Sequence, residues 1–82
     1  MTYLLFHRVA DAESARVRQR VVELGLKPRI SFENVDSDGA EAFAAHGGGA
    51  VPALWDGTRL HRGTDAIFLA LAAIMSAVEQ ER

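Results

Sequence analysis

The 82-residue chain contains no cysteine. It therefore forms no disulfide and carries no thiolate nucleophile or thiolate metal ligand, so any thiol chemistry must use a sulfur brought by another molecule. Proline is almost as scarce, with 2 residues, Pro28 and Pro52, and the aromatic set is 4 Phe, 1 Tyr and 1 Trp. Long apolar runs are missing too. The longest, Ala66 to Ala73 and on to Met75, falls short of the roughly 20 residues a bilayer-spanning helix needs. The N-terminal residues lack the basic stretch, apolar core and small-residue cleavage pattern of a secretory signal, so a cytoplasmic, membrane-free location is expected.

Charge of either sign is in small excess at most: 9 Lys and Arg against 11 Asp and Glu give a net charge of −2. That balance is too weak for nucleic-acid binding by charge. Its distribution is uneven, with 6 basic and 3 acidic residues in positions 1–30 and 3 basic and 8 acidic in 31–82. Such polarity suits head-to-tail contacts or an anionic small ligand. The length allows one domain, 1–82, with a modest core.

The chain is organised around the stretch from Gly49 to Ile67. It reads as a short strand, a tight turn at Asp56-Gly57, a second strand and a capped helix, because glycine takes the positive φ of a hairpin turn without steric cost. Pro52 opens the first of these strands and is expected to follow a cis bond.

In chain order, Thr2 to Phe6 is uninterruptedly apolar or β-branched, as in a strand buried on both faces. Asp11 caps a helix running to about Leu24, with Gly25 as its C-cap and Val17, Val21 and Leu24 on the core face. Glu13, Arg16, Arg20 and Glu23 read as a solvated charged face. Lys27-Pro28 breaks the chain, and Arg29 to Val35 alternates as an edge strand. Ser37 or Asp38 is positioned to cap a short helix through Glu41, Phe43 and His46, which ends at Gly47-Gly48-Gly49. That glycine run lacks the spacing of a phosphate loop.

The last helix starts at Thr64, whose hydroxyl is placed to cap it, and runs to near Glu79. Ile67, Leu71, Ile74 and Val78 face the core, while Ala66, Ala70, Ala73 and Ala77 form a small-residue ridge suited to close approach by the first helix. Leu69 points away from the apolar stripe and marks a candidate subunit contact. The resulting order, β-α-β-α-β-β-α, implies a mixed four-stranded sheet with helices on both faces, an α/β fold of thioredoxin-like topology.

These residues also carry a family resemblance. Val51-Pro52-Ala53-Leu54, the Asp-Gly turn, Leu60 and Gly63-Thr64-Asp65-Ala66-Ile67 resemble the second half of glutaredoxins and of the glutathione transferase N-terminal domain. Ser14-Ala15-Arg16-Val17-Arg18 through Gly25 is similar to the helix that follows the first strand in the transferases. The likeness extends from Thr2 to about Ala73. It departs from the family at Asp11-Ala12-Glu13-Ser14, which stands where a glutaredoxin carries Cys-x-x-Cys.

The resemblance implies a site for glutathione, with no cofactor required. Val51 would offer its backbone N–H and C=O to the cysteinyl part, an extended peptide laid beside the cis-proline Pro52. Thr64 and Asp65 would hold the γ-glutamyl end, and Gly63 replaces the transferase Glu or Gln. Arg8 falls where glutaredoxins often place a lysine for the glycyl carboxylate. Asp11 occupies the nucleophile position, where its carboxylate would repel an incoming thiolate. Ser14 is the nearby hydroxyl that could approach a sulfur in the manner of the serine-type transferases, although it sits at the second motif position. Read from the residues alone, Arg8 is a surface charge, and Asp11, Thr64 and Asp65 are ordinary helix-capping residues.

His7, His46 and His61 have no ligand spacing, so no metal is expected. Trp55 reads as a core or turn-covering aromatic, or as a stacking surface. Three functions follow from different classes. The first is a redox-inactive binding module for glutathione, a thiol peptide or a protein strand. The second is a minimal transferase-like enzyme using Ser14, weak because the 82 residues do not include those enzymes' all-helical domain. The third is an interaction domain that forms a homodimer through its last helix.

Overall fold

The computed structural model describes residues 3–81. Thr2, which the sequence places in the first strand, lies outside them. Strand β1 (Tyr3–His7) has no polar residue before its last, and Leu5 and Phe6 are both fully buried, one on each face of the sheet. That is the burial expected of a central strand. It pairs in parallel with β2 (Ile30–Asn34) and antiparallel with β3 (Ala53–Trp55), and β3 pairs antiparallel with β4 (Leu60–Arg62). The sheet is mixed, in the order β2-β1-β3-β4, so β2 is an edge strand as its sequence suggests.

Helix α1 (Ala12–Glu23) starts where Asp11 accepts a hydrogen bond from the Ser14 N–H at 2.7 Å. It stops at Gly25, whose φ of 71° ends the helix without the strain a side chain would meet there. A short 3₁₀ turn, Lys27–Arg29, contains Pro28 and leads into β2. Helix α2 (Ala40–Ala45) and helix α3 (Thr64–Gln80) complete the chain. Val17, Val21, Ile67, Leu71 and Ile74 pack on Leu5 and Leu54 on one face. Phe43 of α2 packs on Phe6 and Ala53 on the other. Helices thus cover both faces, and no helix among the described residues is long and apolar enough to cross a membrane.

The hairpin is tight: Trp55 pairs with Leu60 and the Asp56 N–H donates to the Arg59 carbonyl at 3.1 Å, so the chain reverses over Gly57 and Thr58. Asp56 Oδ1 accepts from Thr58 N, Thr58 Oγ1 and Arg59 N at 2.8–2.9 Å and braces the turn. Three local expectations are corrected. Helix α2 begins after Gly39 with no side-chain cap, since the Ser37 hydroxyl donates to Asp38 instead. Gly39 is needed for another reason: a Cβ there would lie 2.8 Å from Asn34 O, where α2 comes close to the end of β2. The Thr64 hydroxyl does not cap α3 but donates to Glu13 Oε2 at 2.9 Å. Finally, the alanine ridge of α3 faces the hairpin side rather than α1, and Phe68, Ala72 and Met75 lie on the α1 side, beside Arg20 and Leu24.

The hairpin carries a pH-linked prediction. Burial alone would raise the Asp56 carboxyl, but hydrogen bonds from Arg59, His61 and Thr58 outweigh it and hold the group well below its ordinary 3.8. A carboxyl lowered by folding stabilises fully above its unfolded value, and that contribution is lost as the pH falls toward the folded one. Asp56→Ala is therefore expected to cost about 2 kcal/mol at neutral pH, at the low end for charged hydrogen bonds because the carboxylate is partly exposed. The difference from wild type should shrink below about pH 4 as the wild-type contribution fades. Urea unfolding at neutral and acid pH measures both effects, and a pH-independent difference would contradict the assignment.

Candidate functional site

The register places one set of chain ends together. His7 at the end of β1 lies beside Asn34, Phe6 lies opposite Ala53, and Ala53 lies opposite Arg62. The segments beyond those residues, Arg8–Asp11, Val51–Pro52 and Gly63–Thr64, therefore meet at one edge of the sheet. There the N-termini of α1 and α3 flank a cleft of about 510 Å³ whose lining includes Asp11, Val51, Pro52, Thr64 and Asp65. Five of the seven residues singled out from the sequence share this cleft.

Pro52 is buried and follows a cis peptide bond, as expected. Its carbonyl accepts the Gly63 N–H at 3.1 Å, which ties the β3 entrance to the start of α3. Val51 stands just outside the ladder. Among the described residues, neither its N–H nor its C=O has a hydrogen-bond partner. Backbone groups left in this way beside a short strand can pair with an added extended chain. Across the cleft, no side chain caps the N-terminus of α3, so its first-turn amides are left for water or for an acceptor on a ligand.

Asp11 is both cap and cleft wall. The Ser14 hydroxyl and the Ser14 N–H hold its carboxyl below the ordinary range, so it is charged at neutral pH and faces the cleft with negative charge. Ser14 is elsewhere. Its side chain is 0% exposed and its Oγ accepts the Arg8 N–H at 3.2 Å. The candidate catalytic hydroxyl is thus corrected to a buried link between the β1–α1 loop and the first turn of α1, with no exposed surface to meet a sulfur.

Arg8 is also displaced from the expected place. Its Nε bonds both carboxylate oxygens of Asp36, at 3.0 and 3.1 Å, on the side of the molecule toward the end of β2. The cation on the cleft wall is Arg16, which bonds Glu13 at 3.1 Å, while Glu13 takes the Thr64 hydroxyl. Glu13 and Arg16, a solvated charged face by sequence, are solvated in the structure as well, and Glu13 also ties α1 to α3 across the cleft through Thr64. The signal that could have found them is position: both lie in the first turns of the helix whose N-terminus opens at the Pro52 edge.

Arg18 supports the loop from behind. It donates to His7 Nδ1 at 3.0 Å and to the carbonyls of Arg8 and Val9. Burial first, and Arg18 second, hold the His7 imidazole below its ordinary value, with Glu33 opposing, so this histidine is a neutral acceptor. The other histidines have structural partners as well. His46 Nδ1 lies 2.7 Å from the Ala42 carbonyl, and its ring packs on Trp55 at 4.5 Å between centroids. His61 Nε2 lies 2.7 Å from Asp56 Oδ2. Arg62 donates to the carbonyls of Gly47 and Gly48, so the glycine run is a clamped turn.

Together these features define a small cysteine-free α/β domain whose polar cleft opens between two helix N-termini. No protein-family model and no curated protein matches the chain.

Proposed function

We propose that this chain is a thioredoxin-like domain of the glutaredoxin or glutathione-transferase N-terminal type that has no redox chemistry of its own and binds glutathione or an extended thiol peptide. The observation that carries this reading is the unpaired Val51 backbone beside Pro52, set in a cleft between the N-termini of α1 and α3. An extended tripeptide supplies the missing N–H and C=O partners at Val51. Its α-amino acid end matches α3: the carboxylate accepts from the first-turn amides and the ammonium meets Asp65. The remaining carboxylate reaches Arg16, the guanidinium on the opposite wall.

Binding without activation follows from the same groups. A thiolate placed near Asp11 would face a fixed negative charge, so the bound thiol stays protonated. The domain then acts by holding a thiol compound, and any reaction of that thiol belongs to another catalyst.

Calorimetric titration with glutathione tests the assignment of the cation. Arg16→Ala is expected to weaken binding about tenfold, the scale of one charge-assisted hydrogen bond. Arg8→Ala should leave the affinity nearly unchanged and lower stability by under about 1 kcal/mol, because its pair with Asp36 is exposed. Equal losses in both variants would move the glycyl end of the ligand to Arg8.

A further inference from the structure

His7 ends the central strand and is 7% exposed, with its Nδ1 3.0 Å from Arg18 Nη1. A guanidinium has donors only, so Nδ1 is the acceptor and the ring's single proton sits on Nε2. A second proton has one place to go, and that place is Nδ1. Protonation of this ring and its bond to Arg18 are therefore mutually exclusive.

Arg18 has a second task. The same half-buried guanidinium donates to the Arg8 and Val9 carbonyls at 3.3 and 3.4 Å. Those two residues are exposed and lead into Asp11, whose N–H donates to the Arg8 carbonyl at 3.1 Å and whose carboxylate caps α1 and lines the cleft. One side chain thus holds the imidazole and the loop together. The charged groups about the ring are Arg18 from α1, Glu33 from β2, and Lys27, which lies over the Phe32 ring that meets the imidazole edge-on at 5.7 Å. Arg8, the next residue, is turned to Asp36. Of these groups Glu33 favours a charged ring, while burial and Arg18 oppose it and prevail.

We propose that His7 and Arg18 form an acid-released latch on the β1–α1 loop: a proton on His7 Nδ1 expels the guanidinium, frees the carbonyls of Arg8 and Val9, and loosens the loop that carries Asp11. The latch sets one wall of the cleft and does not depend on what the cleft holds. Its sign follows from the neutral state that folding enforces. Stability is complete above the ordinary histidine value of 6.5 and falls as the pH drops through it toward the lower folded value. Asp11 itself is held below its ordinary 3.8 and stays charged across that interval, so its own titration does not contribute.

NMR of the unliganded protein from about pH 7.5 to about pH 4.5 tests the proposal, reading the His7 ring shifts and the amide protection factors, which correct exchange for its intrinsic pH dependence. His7 should titrate with a midpoint below 6.5. Over the same interval the Asp11 amide should lose several-fold more protection than Leu71 in the core of α3, whose exchange reports opening of the whole fold. His7→Asn keeps an acceptor for Arg18 but takes no proton, so the difference between Asp11 and Leu71 should no longer change with pH. Because that replacement leaves space at a buried position, Arg18→Gln is the second variant: a neutral donor stands in for the cation, and the His7 midpoint should rise. A wild-type midpoint at or above 6.5 overturns the proposal. So does an Asp11 amide that loses no more protection than Leu71, a His7→Asn loop that still loosens in acid, or an unmoved midpoint in Arg18→Gln.

Discussion

Phe6→Ala is expected to remove about 3–5 kcal/mol of folding stability, the range for deleting a fully buried aromatic side chain. A domain of this length holds on the order of 4–12 kcal/mol in all, so the variant should be largely unfolded on mild heating. The ring is 0% exposed, lies 5.0 Å from Phe43 and 5.8 Å from the His46 ring, and fills the space between the sheet and α2. Helix α2 is only 6 residues long, too short to persist without that contact. The loss should reach the cleft as well, because Val51 packs against this same cluster. Urea unfolding and a melting curve measure the first effect. Weaker glutathione binding, read at a temperature where the variant is still folded, measures the second. A loss under about 1 kcal/mol would mean that the second core contributes little.

The second large effect is on binding. Asp65→Ala should weaken glutathione at least tenfold, because the ammonium of the γ-glutamyl end loses its charged partner. Stability should change far less. Asp65 is exposed in the first turn of α3, and an acidic residue there contributes about 0.3–1 kcal/mol through the helix dipole. Asp65→Asn keeps the shape and an acceptor but not the charge, so its affinity should fall between the two. Unchanged affinity in Asp65→Ala would place the amino end of the ligand elsewhere, and equal loss in both variants would show that charge alone matters.

Much of the frame could be read from local chemistry. An apolar run without interruption gave β1, an aspartate before good helix formers gave the start of α1, and the Asp-Gly pair located the hairpin. The convergence of Asp11, Val51, Pro52, Thr64 and Asp65 followed from strand order, because topology alone decides which ends of the elements meet. What could not be read was the choice made by side chains with several options. Arg8 pairs with Asp36, 28 residues away, and no local rule selects that partner over a ligand. Ser14 looks like an exposed first-turn hydroxyl until the loop folds over it and hands it the Arg8 N–H. Thr64 had a cap to make and instead met Glu13 across the cleft. The alanine ridge was visible as a stripe, but which neighbour it faces depends on how α3 rotates on the sheet. In each case the deciding partner is distant in sequence, and the competing interactions differ by about a kilocalorie or less.

We propose that the open cleft beside Pro52 holds an extended thiol peptide. Amide shifts followed by NMR as glutathione is added to the folded protein report on that binding residue by residue. Saturable changes confined to Arg16, Val51, Thr64, Asp65 and Ala66, with the hairpin trough and α2 unmoved, are the expected result. Flat spectra at millimolar glutathione, or changes gathered along the outer face of α3, would contradict it.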